Sequence, residues 1–283
     1  VISCFVNIVL DIILIRYMNM GVTGAAIATV TSQIISAVLV IIVLYHRNDA
    51  LKLRLKSLQI NFSELSKMIS IGTAAGMQSA MYTIANILIQ ASINSLGTDT
   101  IAAFTAYGKI DTLFWMTIQS LGISVTTFTG QNFGYGNKER VKKGIIYGMI
   151  LSVVVTGIVI VILKLFGRSI YTLFTNDENV LKIGTDMLNF MVVAFPAYII
   201  IEIFSGSLRG IGDSWIPMIM TAGGVCVLRI AWIIVMVPKF PNFYTILWAY
   251  PLSWIITSTL FLIYMFGFSK MKLWLKSNIY TID

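Results

Sequence analysis

The sequence predicts an all-α, polytopic membrane protein, and three observations support that fold class. Of the 283 residues, 57% are hydrophobic and 11% are charged. The mean hydropathy of +0.86 exceeds what a soluble protein of this length needs to form its core. Apolar runs of about 20 residues, enough to cross roughly 30 Å of hydrocarbon, recur along the whole chain. A single membrane anchor or a signal peptide is therefore excluded.

Apolar windows between polar breaks predict eight transmembrane helices. Their approximate limits are 1–15, 22–45, 68–96, 101–130, 141–163, 183–208, 214–237 and 244–268. One long polar segment, 47–67, separates the two helices within 1–46 from the six within 68–283. Its leucines alternate with lysines and arginines, which is typical of a strip that lies on the membrane surface. We therefore expect a domain boundary there.

Basic residues are distributed unequally between the two sides of the predicted membrane. Thirteen of the twenty lysines and arginines fall in one set of alternating breaks, at 46–67, 131–143, 209–213 and 269–283. The positive-inside rule places this set and the C-terminus in the cytoplasm, and we expect a multi-pass protein of the cell (inner) membrane. The net charge of +8 follows from this bias and from contact with anionic lipid, so it requires no nucleic-acid partner.

The third predicted helix carries polar residues at helical spacing. Ser79, Thr83, Asn86 and Gln90 follow one another at intervals of three or four residues, which places them on one face. Such a face is explained equally well by hydrogen bonds to a neighbouring helix or by a solvated substrate and ion cavity.

The sixth predicted helix contains a carboxylate at membrane depth. Tyr198 and Glu202 share a face just after Pro196, which should kink the helix. Glu202 is suited to carrying a proton or binding a cation, and an ion pair with Arg209 or Arg229 is the alternative.

Four further charges lie within or near predicted helices. Lys109 and Asp111 project to nearly opposite sides of the fourth helix, so we expect each to find a partner on a neighbouring helix. For Asp11, near the outer end of the first helix, and for Arg229 in the seventh, structural pairing is favoured over a role in transport.

The segment 130–140, "GQNFGYGNKER", combines glycines with a lysine, as phosphate-binding loops do. A P-loop requires serine or threonine directly after the lysine, and here Lys138 is followed by glutamate. The alternative is a turn between two helices. We expect Gly130 to end one helix, Gly134 and Gly136 to adopt left-handed backbone angles, and Asn137 to cap the next helix.

The sequence contains few residues suited to catalysis or to metal binding. The only histidine, His46, lies at the end of a predicted helix, and both cysteines lie in apolar runs. A serine–histidine dyad or a histidine metal site within the bilayer cannot be assembled from them. We therefore expect no enzyme, no metal site and no cofactor.

Four stretches, in order along the chain, resemble the multidrug and toxic compound extrusion (MATE) family. "SVTTFTGQNFGYGNKER" at 124–140 resembles the family's cytoplasmic turn between helices eight and nine, and "SLRGIGDSWIPM" at 207–218 its turn between helices ten and eleven. "GKID" at 108–111 matches a basic-x-acidic pair in helix eight. "NIVLD" with "GVTGAAIATVTSQ" resembles helices five and six.

The resemblance implies a fold and a function. The segment 1–46 would be the last two helices of the N-terminal lobe, 47–67 the cytoplasmic inter-lobe linker, and 68–283 the six-helix C-terminal lobe. Because Val1 falls within a helix and no methionine precedes it, we expect an N-terminally truncated chain. The implied activity is secondary active antiport, exporting organic cations or drugs in exchange for Na⁺ or H⁺ by alternating access.

The helical spacing in the third and sixth predicted helices, together with the matching turns, gives a set of expected site residues. The expected substrate and ion cavity comprises Ser79, Thr83, Asn86, Gln90, Tyr198 and Glu202. The expected conformational turns comprise Gly130, Gln131, Asn132, Gly134, Gly136, Arg140, Arg209, Gly210, Gly212 and Asp213. The expected partners are small organic cations and membrane lipid, with no nucleic acid and no obligate protein partner.

Two alternatives stay open. A lipid-linked saccharide flippase of the same superfamily would carry several arginines facing its cleft, and Arg229 is the one candidate here. A non-transporting membrane scaffold is the other. The chain also departs from the family pattern: 68–96 has no acidic residue, and Glu202 lies about one turn nearer the cytoplasmic turn than the corresponding acidic residue of some members.

Overall fold

The chain is an all-α, polytopic membrane protein. The computed structural model describes residues 1–46, 52, 59 and 61–276, and these contain helices and turns but no strand. They divide into two compact units, Val1–Leu65 and Ser66–Asp283. Most of the predicted linker 47–67 lies outside the described residues, so the predicted division into three parts stays a prediction.

The first unit is a helical hairpin. Helix α1 (Ile2–Asp11) continues as a π-helical stretch (Ile12–Tyr17), and α2 spans Gly21–His46. The connecting turn requires left-handed backbone at Asn19 and Gly21, with φ of 51° and 53°. The small residues Gly24, Ala28 and Ser32 are the buried positions of α2, and they allow α1 and α2 to pack closely.

The second unit contains nine further helices among the described residues. They are α3 (Phe62–Asn94, whose first residues belong to the first unit), α4 (Thr98–Gly134), α5 (Lys138–Tyr171), α6 (Glu178–Val192), α7 (Phe195–Gly210), α8 (Trp215–Thr221), α9 (Leu228–Met236), α10 (Phe243–Gly267) and α11 (Lys270–Lys276).

Length and hydropathy identify four described segments able to cross a membrane. They are Gly21–His46, Lys138–Tyr171, Trp215–Met236 and Phe243–Leu275, and α6 with α7 makes a fifth if that bent pair is one span. Helices α3 and α4 have 33 and 37 residues, so they are long enough. Their polar residues, which include Asn86, Gln90 and Asp111, lower the hydropathy, and several of these line a cavity described below.

Helix α4 is the centre of the second unit. Its buried residues recur every three or four positions, and it packs against α5, α6 and α7. The ring of Phe114 stacks on that of Phe195 in α7 at 3.9 Å, with both side chains almost fully buried.

Helix α3 contacts other helices near its start and near its end. Near its start, Trp215 Nε1 donates a 2.7 Å hydrogen bond to Ser70 Oγ. Near its end, Ile89 and Ile93 pack in a cluster with Ile233 of α9 and Ile246 of α10. Between these two attachments, the Tyr82 hydroxyl lies 3.3 Å from that of Tyr198 in α7, and the polar face of α3 borders a cavity described below.

The predicted kink at Pro196 is confirmed. The predicted helix 183–208 is two helices, α6 and α7, which meet at an angle of 50°. Proline lacks a backbone N–H and its ring clashes with the preceding turn, so the helix restarts with Pro196 in the first turn of α7. The bend directs the first two turns of α7, including Tyr198, into the unit.

The predicted helix 214–237 is interrupted by a feature that the sequence analysis did not anticipate. Between α8 and α9, residues Ala222–Val227 form a π-helical stretch. Gly224 in this stretch lies so close to Thr257 of α10 that a Cβ atom would clash with it. The wider turn changes the face on which the following residues lie, and Arg229 in the first turn of α9 points inward.

Two expectations about the turn at 130–140 are wrong. Gly130 does not end a helix, because α4 continues to Gly134, and Gly134 does not adopt a left-handed conformation. Gly130 instead allows close approach to α7: a Cβ atom would lie 3.1 Å from the carbonyl oxygen of Gly210. The left-handed conformation of Gly136 is confirmed, with φ of 75°.

The remaining features of this turn are local hydrogen bonds. Asn137 caps α5 as predicted, because its Oδ1 accepts from the backbone N–H of Arg140 at 3.0 Å. The Asn132 side chain donates a hydrogen bond to the carbonyl of Phe128. The Gln131 carbonyl accepts one from the backbone N–H of Tyr135, the residue that follows α4.

The second predicted turn follows α7. Arg209 and Gly210 are the last residues of that helix, and Gly212 adopts a left-handed φ of 86°. Asp213 is buried, and its Oδ2 accepts a hydrogen bond from the hydroxyl of Tyr264 in α10 at 3.2 Å. This contact ties the turn to the last transmembrane segment.

Candidate functional site

A cavity of about 520 Å³ lies inside the second unit, between α3, α4, α7, α9 and α10. It contains both charged and aromatic side chains, which sets it apart from the apolar packing around it. Its lining residues are Ser79, Tyr82, Asn86, Gln90, Phe104, Tyr107, Gly108, Asp111, Trp115, Gln119, Tyr198, Arg229 and Tyr250.

Asp111 provides a carboxylate in this cavity. Tyr107 and Trp115, one turn before and one turn after it on α4, donate hydrogen bonds to its two oxygens at 3.0 and 2.6 Å. The three side chains meet because residues four apart share one face of a helix. The hydrogen bonds of Asp111 thus come from its own helix, and Arg229 of α9 provides a charge of opposite sign on a neighbouring helix.

Arg229 provides a positive charge in the same cavity. Arg229 is 3% exposed, and its guanidinium carbon lies 4.2 Å from the centroid of the Tyr250 ring. One terminal nitrogen is 3.5 Å from Ser253 Oγ, and the Nε atom has no hydrogen-bond partner among the described residues. A buried guanidinium with an unused donor is costly, so this group is available to an acceptor that enters the cavity.

Aromatic rings form one wall of the cavity. Trp115 meets Tyr198 edge to face at 4.6 Å, and Trp254 contacts both of them at 5.9 and 5.7 Å. Tyr250 joins the same cluster through Trp254 at 5.7 Å. The rings pack against one another, and the three that line the cavity, Trp115, Tyr198 and Tyr250, are available for stacking or for contact with a cation.

A chain of polar groups leads from this wall to Glu202. The hydroxyls of Tyr82 and Tyr198 are 3.3 Å apart, and the Tyr198 hydroxyl donates to Glu202 Oε2 at 3.3 Å. The other oxygen of Glu202 lies 3.5 Å from the guanidinium of Arg209. Glu202 itself is 8% exposed and does not line the cavity.

Glycine on α4 makes room for the Glu202 side chain. A Cβ atom at Gly122 would clash with the Glu202 carboxylate. Gly206, one turn after Glu202, faces the same point, where its Cβ would lie 2.8 Å from the Gly122 carbonyl. The two glycines allow α4 and α7 to approach closely, and the carboxylate is held between the two helices.

The structure brings together most of the residues predicted for the cavity. Ser79, Asn86, Gln90 and Tyr198 line it, and the first three make no hydrogen bond to a neighbouring helix within the described chain. Thr83 and Glu202, also predicted for the cavity, do not line it: Thr83 is exposed, and Glu202 lies behind Tyr198. A role for these residues in transport stays a prediction.

Two of the four predicted intramembrane charges lie away from this site. Lys109 is exposed on the far side of α4, and Asp11 belongs to the first unit. Neither forms an ion pair among the described residues, and Asp11 Oδ1 is buried without a hydrogen bond there. The expected pairing is therefore not observed for Lys109 and Asp11 within the described chain.

Apart from Tyr198, the aromatic side chains that line the cavity were not predicted from the sequence. Tyr107 and Trp115 flank Asp111 at intervals of four, and that spacing was a usable signal on the α4 face. Tyr82 lies three residues after Ser79 and four before Asn86, so the helical spacing of the polar face on α3 was a usable signal for it as well. Tyr250 gave no comparable signal, because its position depends on how α10 packs.

Comparison with known proteins gives a family and a set of relatives. The MatE family matches residues 74–235. The probable multidrug resistance protein NorM of Thermotoga maritima is 27% identical over 241 residues, which cover 83% of this chain and 52% of that protein. The chain spans about half the length of the curated relatives it matches.

Solved structures share the fold. A MOP superfamily transporter from Pyrococcus furiosus superposes with a TM-score of 0.88 at 20% identity, covering 97% of this chain and 62% of that one. A multidrug resistance MATE family transporter in an outward-facing conformation gives a TM-score of 0.87 at 20% identity, with the same two shares. At this identity the likeness concerns the fold alone.

Proposed function

Because the chain belongs to the MatE family, we propose that it carries the substrate cavity and a coupling carboxylate of a secondary active antiporter. This antiporter would export organic cations and drugs in exchange for Na⁺ or H⁺ by alternating access. Relatives named as multidrug resistance proteins support drug export. The observation that carries the proposal is the Asp111 carboxylate held among aromatic rings in a cavity.

The cavity chemistry suits a cationic, partly aromatic compound. A volume of about 520 Å³ falls within the range of small-molecule sites, roughly 300–1,000 Å³. The Asp111 carboxylate would attract positive charge, and the Arg229 guanidinium in the same cavity offsets part of that attraction. The faces of Tyr107, Trp115 and Tyr250 would stack on rings or contact the cation. Flat aromatic surfaces accept many ligand shapes, which is what a multidrug site requires.

Glu202 is the proposed coupling group. It lies behind the cavity wall, and the Tyr198 hydroxyl connects the two. Protonation of Glu202, or Na⁺ binding to it, would weaken its attraction to Arg209 and would change the hydrogen bond that Tyr198 donates. Substrate binding in the cavity and ion binding at Glu202 would then be linked through the Tyr198 side chain. The alternative is a purely structural ion pair with Arg209, and no cofactor enters either version.

The proposed location is the inner membrane of the cell, with the C-terminus in the cytoplasm. The supporting observation is the bias of thirteen of the twenty basic residues to one set of connecting segments. Small organic cations and membrane lipid are the proposed partners.

A second candidate function is export of an anionic lipid-linked saccharide. Arg229 favours it, because this buried guanidinium lines the same cavity and keeps an unused donor. A phosphate group is the natural acceptor for that donor.

The test is efflux of ethidium from right-side-out vesicles that carry the full-length gene product. Na⁺ and pH gradients are imposed separately and then collapsed with ionophores. We expect efflux that follows at least one gradient and stops when it is collapsed. Absence of gradient-dependent efflux for ethidium and for tetraphenylphosphonium would contradict the antiporter. Translocation of a fluorescent polyprenyl-phosphate saccharide without cation efflux would support the second candidate.

A further inference from the structure

A second cavity of about 750 Å³ lies in the same unit and shares no lining residue with the first. It is formed by the start of α5, the end of α10, helix α11 and one residue of α7. The turn at 130–140 and the turn that precedes α11 border it. We call it the terminal groove, because it lies at the ends of these helices.

The body of the terminal groove is apolar and opens to the outside of the helix bundle. Met149 and Phe204 line its inner side, together with Met265. Ile146 and Phe266 line its outer edges and are 46% and 68% exposed. Helices α5 and α10 both belong to membrane-crossing segments, so these exposed side chains face hydrocarbon. An acyl chain is therefore the natural occupant of the groove body.

The mouth of the terminal groove is basic. Lys138, Lys142 and Lys272 line it. Lys138 Nζ lies 5.5 Å from the centroid of a Trp274 ring, and Lys272 Nζ is 3.1 Å from the Gly267 carbonyl oxygen. Both lysine ammonium groups are thus placed at the ends of α5 and α10.

Among the described residues that line the mouth, positive charges outnumber negative ones. Glu139 also lines the groove, but Lys143 pairs with it at 2.7 Å, which offsets its charge. The first turn of α5 contributes the positive end of its helix dipole at the same place. An anionic group is therefore favoured there over a zwitterionic one.

We infer that the terminal groove binds one anionic phospholipid, with an acyl chain between α5 and α10 and its phosphate among Lys138, Lys142 and Lys272. The apolar body of the groove matches the acyl chain of such a lipid, and its basic mouth matches the phosphate. The mouth lies at the helix ends and the body lies further along α5 and α10, which is the arrangement of phosphate and acyl chain in a membrane leaflet. This inference goes beyond the proposed transport function and does not depend on the identity of the substrate. Its consequence is a lipid that bridges α5 to α10 and α11.

The inference is tested by native mass spectrometry of the full-length gene product in detergent. The protein is titrated with dioleoyl-phosphatidylglycerol or with dioleoyl-phosphatidylcholine. We expect one phosphatidylglycerol to be retained at concentrations at which phosphatidylcholine is not. The triple variant Lys138→Gln, Lys142→Gln, Lys272→Gln should lose at least about tenfold in phosphatidylglycerol affinity, since each surface lysine contributes roughly fivefold toward anionic lipid.

A matched control separates the groove from net charge. The triple variant Lys164→Gln, Lys182→Gln, Lys239→Gln removes the same charge from exposed lysines that do not line the groove. It should retain the affinity of the unmodified protein. Equal losses in the two triple variants would overturn the inference, because binding would then follow net charge alone.

A second variant keeps the charges and fills the groove. Ile146→Trp places a large ring in the groove body, and we expect it to abolish retention of the single phosphatidylglycerol. Unchanged retention would overturn the inference, as would equal retention of phosphatidylcholine by the unmodified protein. Full displacement of the lipid by millimolar inorganic phosphate would also contradict it, because the acyl chain would then contribute nothing.

Discussion

The indole N–H of Trp115 donates a 2.6 Å hydrogen bond to the Oδ2 atom of Asp111, one turn earlier on α4. Tyr107 donates to the other oxygen from the preceding turn. A carboxylate at membrane depth is thereby oriented by two donors on its own helix. This arrangement leaves the carboxylate facing the cavity.

Replacing Trp115 with phenylalanine tests the hydrogen bond that orients Asp111. Trp115→Phe keeps an aromatic ring but removes the donor. We expect a loss of about 1.5–3 kcal/mol in the free energy of unfolding, the usual contribution of a hydrogen bond to a charged group. The measurement is unfolding in a titration with SDS. Trp248→Phe is the control, because Trp248 is 49% exposed and lies outside the cavity. An equal loss of unfolding free energy in both variants would contradict the stabilising role of the hydrogen bond from Trp115 to Asp111.

Glu202→Gln tests the proposed coupling group. We expect the gradient-dependent part of ethidium efflux to fall at least about fivefold, the lower end of typical coupling between two sites, while ethidium binding stays close to that of the unmodified protein. The measurement is efflux under separate Na⁺ and pH gradients. Glu178→Gln is the matched control, because Glu178 is exposed and pairs with Arg168 elsewhere on the lobe. Unaltered coupling in Glu202→Gln would assign Glu202 to structure.

Gly122→Ala tests the close approach of α4 and α7 around Glu202. The added methyl group would clash with the Glu202 carboxylate, and we expect destabilisation of about 1–3 kcal/mol. Gly157→Ala adds the same methyl group in open space on α5, so it should be neutral or stabilising by up to about 1 kcal/mol. The double variant Gly122→Ala, Glu202→Ala should recover part of the loss. A double variant less stable than Gly122→Ala alone would show that the clash lies elsewhere.

Gly136→Ala tests the turn between α4 and α5. At a φ of 75° an alanine is strained, and we expect destabilisation of about 1–2 kcal/mol. Gly134→Ala, two residues earlier at the end of α4, has open space around it and should be neutral or stabilising by up to about 1 kcal/mol. Thermal unfolding in detergent measures both variants. Equal destabilisation would mean that the two glycines have the same role.

Local signals in the sequence predicted several features correctly. Proline chemistry predicted the bend at Pro196, and side-chain capping predicted the start of α5 at Asn137. The motifs at 124–140 and 207–218 identified the family, which the MatE match confirms. Each of these depends on residues close together in the chain, so sequence alone was enough.

Features that depend on tertiary packing were not predictable in this way. The sequence around Gly130 predicts a helix end, whereas Gly130 makes a close contact with Gly210, eighty residues away in the chain. The inward position of Arg229 follows from the π-helical stretch Ala222–Val227, and that stretch in turn accommodates the approach of Gly224 to Thr257. No local pattern specifies such contacts between helices.

The most direct test of the central claim is binding of tetraphenylphosphonium to the full-length gene product by isothermal titration calorimetry. Our account predicts that Asp111→Asn weakens binding at least about tenfold, equivalent to roughly 1.4 kcal/mol, because the cavity loses its carboxylate. Lys109→Gln, which changes an exposed charge on the opposite side of the same helix, should leave the affinity unchanged. An Asp111→Asn variant that folds normally and binds tetraphenylphosphonium as tightly as the unmodified protein would contradict the account.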